Sequence, residues 1–212
     1  MSRQKLVLVG GGGHCRSAIE VIESSNRYDI VSLLDLPEKI GKTVIQYIIN
    51  GTEEDFAKLV KEGNHFTITI GHIRNALPRK QVFEKIRKAE AVLPVISSPF
   101  SVVSHSSSIG EGTMIFHKAV INSCSVIGKN NIINTGAIIE HDTVIGDHCH
   151  ISTGAIVNGG CQIGSMCFIG SGAVIKEGVY ICDEVIIGAG SLVTRSIFEK
   201  GLYYGSPSAK KD

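Results

Sequence analysis

Among the side chains able to accept or donate a proton, Glu140, His141, Asp142, His148 and His150 crowd into eleven residues of the stretch IINTGAIIEHDTVIGDHCHIS. Imidazole titrates near neutral pH. A carboxylate beside it stabilises the imidazolium and makes the ring a stronger base. A His flanked by two carboxylates, Glu140 and Asp142, therefore suits general-base chemistry, the removal of a proton from an attacking nucleophile. Adjacency in sequence does not decide which carboxylate reaches the ring. The isolated histidines His105, His117 and His148 are read differently, as solvated corners of a regular scaffold.

That scaffold is written in the same stretch. Sixteen Ile or Val residues fall at every sixth position from Val103 to Val193, among them Ile133, Ile139, Ile145 and Ile151. Four residues after each comes a mostly small side chain, such as Ala119, Ala137, Thr143, Cys149, Ala155, Cys161 or Cys167. A coil with short flat sides, each pointing one branched and one small residue inward, explains both beats. This is the signature of a parallel β-helix. Three hexads per coil give a little over five coils, a column roughly 25 Å tall at about 4.8 Å per strand spacing. The glycines that follow the branched residue (Gly110, Gly128, Gly146, Gly164, Gly170, Gly188) are expected to supply permissive backbone at the corners. Cys149, Cys161 and Cys167 are expected to pack inward.

The amino-terminal half has another rhythm. KLVLVG, CRSAIEVIESS and IVSLLD read as strand, helix and strand, a βαβ unit over residues 4–36. FTITIG (66–71) predicts a further strand, and PRKQVFEKIRKAE a helix with Pro78 near its start. About ninety residues of α/β structure amount to half a complete dinucleotide-binding domain. PVISSPFS marks the boundary, giving an α/β, Rossmann-like half domain at 1–97 and a β-helix with a carboxy-terminal tail at 98–212. GGGGHCRS, after a strand and before a helix, is suited to cradling a phosphate with backbone N–H groups. Cys15 occupies the third glycine of the dinucleotide fingerprint, which argues against a nicotinamide dehydrogenase.

Composition excludes other classes. The chain has 212 residues, with 21 Lys and Arg against 20 Asp and Glu, so no excess of positive charge points to nucleic acid or an anionic membrane. The apolar run of MSRQKLVLVGGGG is too short for a signal-peptide core or a spanning helix. Six cysteines without a CxxC pair fit reduced thiols, and a cytoplasmic location is expected.

The segments SIGEGT, VIGKNN, VIGDHC, QIGSMC and IIGAGS, closed by GLYYGSPSAKK, resemble the hexapeptide-repeat acyltransferases. With GGGGH, LLD, ITIG and NTGAIIEHD, the whole chain resembles the PglD/NeuD branch of sugar O- and N-acyltransferases. The resemblance implies a left-handed β-helix, a homotrimer, acetyl-CoA as acetyl donor and no metal. It implies His141 as general base with Asp142 supporting the imidazolium, and the Gly159 N–H polarising the thioester carbonyl, the missing side chain leaving room for the thioester. It implies coenzyme contacts at His150, Ser171, Ala189 and Pro207, although GSPSAK departs from the family's Gly-x-Pro-Ala-Lys ending by one inserted Ser. It places a nucleotide-linked sugar at Gly12, Gly13, His14, Asp35 and Gly71, with Asn134 a polar position near the transfer site. Leu36 stands where a second Asp is frequent, which bears on base or sugar preference.

The activity implied is acetyl-CoA-dependent N-acetylation of a nucleotide-linked aminosugar, with UDP-4-amino-4,6-dideoxy-N-acetylglucosamine the expected acceptor. A NeuD-type sialic acid O-acetyltransferase is the neighbouring alternative, and a sugar-nucleotide-binding scaffold without activity the remote one. A β-helical carbonic anhydrase would need a zinc-ligating His five residues before His141, where this sequence has Gly136.

Overall fold

The computed structural model describes residues 3–211; Met1, Ser2 and Asp212, at the outer ends of the two expected domains, lie outside the described residues. β1 (Gln4–Val9), α1 (Gly13–Ser25) and β2 (Tyr28–Leu34) form the expected βαβ unit, with β1 and β2 parallel. β3 (Thr43–Val44) and β4 (Tyr47–Gly51) extend the sheet on one side, and β5 (His65–Ile68) lies beside β1 on the other. A short α2 (Phe56–Lys61) precedes β5, and α3 (Leu77–Lys88) follows it with Pro at its start. β1 buries all four residues of Leu6–Val9, as a strand covered on both faces should.

From Ile96 onward the chain coils into the left-handed parallel β-helix of hexapeptide-repeat proteins. Two-residue strands pair with those eighteen residues on, Val120 with Ile138 and Val126 with Val144 for example, so three hexads make one coil and three parallel sheets make its faces. The second residue of each strand points inward: Ile121, Ile133, Ile139, Ile151 and Ile169 are fully buried. So are the small residues between them, Ala119, Ala137, Cys149, Cys161 and Cys167, as the spacing predicts.

The corner glycines play another part than expected. At Gly110, Gly128, Gly146 and Gly164 the backbone does not adopt positive φ; instead, an added Cβ would strike the next coil. At Gly146 it would lie 2.8 Å from the Ser165 nitrogen and 2.9 Å from the Gly164 carbonyl carbon. These glycines permit close stacking of coils, not an unusual turn. The left-handed corner conformation falls two positions later, at Gly112, Gly136, Gly154, Gly160 and Gly172 but also at Lys118, Asp142 and His148.

The amino-terminal domain docks on one face of the column. Ile96, Met114 and Ile132, which point outward from that face, are fully buried against a cluster containing Ile19 and Ile22 of α1. Each such side chain contributes roughly 1.5–3 kcal/mol on burial, so the two halves share one core. Arg79 of α3 reinforces the junction. It is completely buried and donates from Nη1 to the carbonyls of Ile68 (2.6 Å) and Ile70 (2.8 Å), and from Nε to that of Asn130 (3.2 Å) on the column. The outward residues of the other two faces remain open, among them Val102, Val126, Val144 and Tyr180. The chain ends in an antiparallel hairpin, Gly201–Gly205 and Ser208–Lys211, laid on the top of the docked face.

Candidate functional site

Two concave sites take up most of the residues singled out from sequence. The first lies at the corner between the two open faces, where the strand Ile138–Ile139 turns toward Val144–Ile145. Asp142 occupies the left-handed position of this turn, φ +59°, and its N–H is held by the Ser123 carbonyl one coil below. That conformation swings its carboxylate back to the preceding ring, with Oδ2 2.8 Å from His141 Nδ1. Glu140 turns the other way and accepts from Asn122 Nδ2 at 2.8 Å. The structure thus decides between the two carboxylates: Asp142 orients the imidazole. With Nδ1–H directed at Asp142, the Nε2 lone pair faces the open cavity of about 580 Å³ lined by His141, Asn158, Gly159 and Glu177.

Gly159, one coil above, lies against the imidazole. A Cβ there would sit 2.8 Å from His141 Cε1 and 2.9 Å from Nε2. The missing side chain makes room for the ring of His141. Among the described residues the N–H of Gly159 has no acceptor, whereas that of Gly160 is taken by the His141 carbonyl. A free donor next to a free imidazole nitrogen is the pairing that acyl transfer needs.

The second site is a cavity of about 940 Å³ between the amino-terminal domain and the docked face. Gly12, Gly13, His14, Asp35, Gly71 and His150 all line it. α1 starts here with Gly12 at its N-cap, no side-chain cap and no acidic residue in its first turn. The Cys15 N–H is taken by the Gly12 carbonyl at 3.1 Å, which leaves those of Gly13 and His14 for an anion. Asp35 is committed: Oδ2 accepts from the Gly11 N–H (2.6 Å), Oδ1 from the Leu36 N–H (2.7 Å), and Lys39 Nζ bridges both oxygens. Burial opposes its charge, but these donors outweigh it and hold the carboxyl below its usual pKa.

His150 stands apart from His141. Its ring is buried in the wall of this second cavity, Nδ1 donating to the His72 carbonyl at 2.7 Å and Nε2 accepting from Asn134 Nδ2 at 3.1 Å. Asn134 therefore links this cavity to the corner between the docked and second faces, where Ser171 and Ala189 lie exposed one and two coils above Thr153. Pro207 sits at the tip of the terminal hairpin, away from both cavities.

His148 corrects the sequence expectation. It is buried, bonded through Nδ1 to Asn130 Nδ2 at 2.9 Å, and its ring meets Phe83 edge-on at 5.3 Å. It does occupy a corner, but α3 covers that corner. His117 is half-buried with Ser98 Oγ on its Nδ1 at 2.6 Å, and His105 is exposed. Sequence reading missed His72, Arg74 and Arg79. Burial, then the neighbouring His150 and Arg79, push His72 down to about 3. Burial, then Arg79 and the other rings, do the same to His14, to about 3. Burial brings His150 to about 4, so the three imidazoles are neutral near pH 7. Among the described residues no cluster of three or more His, Cys, Asp or Glu is placed to hold a metal ion, and no helix is long and apolar enough to cross a membrane.

Comparison with known proteins agrees with this architecture. Residues 5–86 match the PglD N-terminal domain, and residues 124–159 and 160–195 each match the bacterial transferase hexapeptide (six repeats) model. No curated protein sequence matches. Among solved structures, a histidine-to-asparagine variant of perosamine N-acetyltransferase from Caulobacter crescentus, in complex with CoA and GDP-perosamine, superposes with a TM-score of 0.92 at 29% identity, covering 100% of this chain and 98% of that one. The acetyltransferase domain of PglB from Neisseria gonorrhoeae FA1090, in complex with acetyl coenzyme A, gives 0.91 at 28% identity over 99% and 100% of the two chains. WeeI from Acinetobacter baumannii AYE, at 24% identity and a TM-score of 0.85 over 98% of this chain and 100% of that one, shares the fold. With a PglD-type amino-terminal domain joined to a transferase β-helix, and with solved acetyltransferases alike over its whole length, the chain belongs to the PglD-type hexapeptide-repeat acyltransferases.

Proposed function

We propose that this protein transfers the acetyl group of acetyl-CoA to the amine of a nucleotide-linked aminosugar. The observation that carries the reading is the stack of Asp142, His141 and Gly159, with Nε2 and an unpaired N–H facing one cavity. The amine attacks the thioester carbonyl while Nε2 takes its proton. Asp142 supports the imidazolium, and the Gly159 N–H is placed to meet the negative charge that develops on the carbonyl oxygen. Collapse breaks the C–S bond, and the proton passes from the imidazolium to the departing thiolate. The similar structures holding CoA with GDP-perosamine, or acetyl coenzyme A, support the choice of donor and of acceptor class. A UDP-linked 4-amino-4,6-dideoxy sugar remains the acceptor we favour from the sequence.

The positions of the two cavities support an assembly. His141 projects from the corner between the open faces, whereas the glycine-rich cavity lies on the docked face, across the column from that corner. We infer that one chain does not bring its own acceptor to its own base. A neighbouring copy can, if its exposed aliphatic face packs beside that corner, and a closed threefold oligomer repeats the arrangement around the ring. We therefore place each transfer site between two chains of a homotrimer.

The test is thiol release from acetyl-CoA with a panel of UDP- and GDP-aminosugars, alongside calorimetric titrations of each ligand alone. His14→Ala should weaken the sugar nucleotide and spare coenzyme binding. A fully active monomer in sedimentation would refute the shared site, and turnover with free sialic acid alone would favour the O-acetyl alternative.

A further inference from the structure

The cavity that receives the nucleotide is lined by three cations, Lys39, Arg74 and Lys85, and by one carboxylate, Asp35. Two of the cations are committed. Lys39 is paired with Asp35 at 3.0 Å, and Lys85 with Glu53 at 2.6 Å. The histidines of the wall are neutral at pH 7, because burial disfavours their charge. Among the described residues lining the cavity, Arg74 is the cation without a carboxylate partner. We propose that Arg74 grips the diphosphate of the nucleotide-linked substrate, closing it against the first turn of α1.

Arg74 lines the same cavity as that turn. Gly71 touches the start of α1 so closely that a Cβ would lie 3.1 Å from His14 Cβ, and the chain leaves this contact through His72 and Ile73 to Arg74. The approach is fixed from beneath. Arg79 holds the Ile70 carbonyl at 2.8 Å and His150 holds the His72 carbonyl at 2.7 Å. In the same cavity, Gly12 and Gly13 leave open space where a Cβ would point, beside the unpaired N–H groups of Gly13 and His14. His14 adds a buried Nε2 with no partner. A helix N-terminus offers about half a unit of positive charge, too little to balance a diphosphate by itself. A guanidinium supplies the rest, with a planar fork that matches two phosphate oxygens at once.

This inference rests on the reading of the cavity as a nucleotide site, and the experiment separates the two. Binding of UDP, GDP, uridine and guanosine is measured for the wild type, Arg74→Ala and Arg74→Lys, with nucleosides followed by competition. We expect Arg74→Ala to weaken the preferred nucleoside diphosphate at least tenfold, to leave its nucleoside and coenzyme A unchanged, and to flatten the salt dependence. Lysine should recover part of the loss. Wild type that binds neither diphosphate would overturn the nucleotide reading and this inference with it. Wild type that binds one, with Arg74→Ala binding it equally well, would overturn the role of Arg74 alone. An equal loss for diphosphate and nucleoside would do so too, since it would show that Arg74 acts on the cavity's shape.

Discussion

A single methyl group added at Gly159 tests the transfer site more sharply than deleting the base. In Gly159→Ala the new Cβ would stand 2.8 Å from His141 Cε1, where ordinary contacts begin at 3.4 Å, so ring and backbone must separate by about 0.6 Å. The ring is the part that yields. Its side chain is 61% exposed, whereas the Gly159 backbone is fixed by the bond from the Gly178 N–H to its carbonyl. Displacement of roughly this size at a reacting group costs on the order of 10²-fold in rate. His141→Ala removes the base entirely and should cost about 10²–10⁴-fold. Because both changes strike one contact, the double variant should be no slower than His141→Ala alone. Gly159 is not in the left-handed region, so alanine there adds no backbone strain and the melting temperature should hold. Steady-state thiol release for wild type, both single variants and the double variant supplies every number. A Gly159→Ala enzyme turning over at the wild-type rate would refute the stacking of ring on glycine as a catalytic feature, and multiplicative losses would refute a shared mechanism.

Two predictions concern the junction. His14, His72 and His150 have pKa values lowered from 6.5 to about 3, 3 and 4 in the folded chain, so below pH 6.5 the unfolded state binds protons that the native state refuses. Stability should therefore fall as pH drops from about 6.5 toward 4. Urea titrations should show His72→Gln flattening that fall, and an unchanged slope would contradict a neutral buried ring. Arg79→Met should strand the carbonyls of Ile68, Ile70 and Asn130 and cost roughly 2–4 kcal/mol, read as a shifted denaturation midpoint; a loss below 1 kcal/mol would mean water replaces the guanidinium.

Much of the column was legible because its packing repeats. A branched residue must face inward once per side, and Ile121, Ile139 and Ile175 obey this without exception for chemical role. His141 was singled out through its neighbours in sequence and the family resemblance, but adjacency alone could not say which of Asp142 and Glu140 touches its ring. That choice depends on a left-handed φ set by a bond to the coil below. His148 reads as a corner and is one; its burial comes from Phe83, sixty-five residues away in sequence, which no local pattern announces. Arg79 lies among Lys and Glu on a helix that looks solvated, and only docking onto the column explains its burial. The short β3–β4 hairpin, α2 and the terminal hairpin escaped for a different reason: strands of two to five residues and a helix of six carry too few periods to be read.

The eighteen-residue register sets a rule for how this chain can change length. Inserting one hexad between His141 and Gly159 would preserve every inward Ile and Val, and inside the column it would be silent. It would also turn all later residues by a third of a revolution, carrying Gly159 from the corner of His141 to another edge of the prism. Inserting three hexads above Gly159 instead would keep His141 and Gly159 in contact, leave every edge aligned and raise the coils above by one strand spacing, about 4.8 Å. Six is thus the quantum of stability and eighteen the quantum of function, so length variation that keeps activity should come in whole coils.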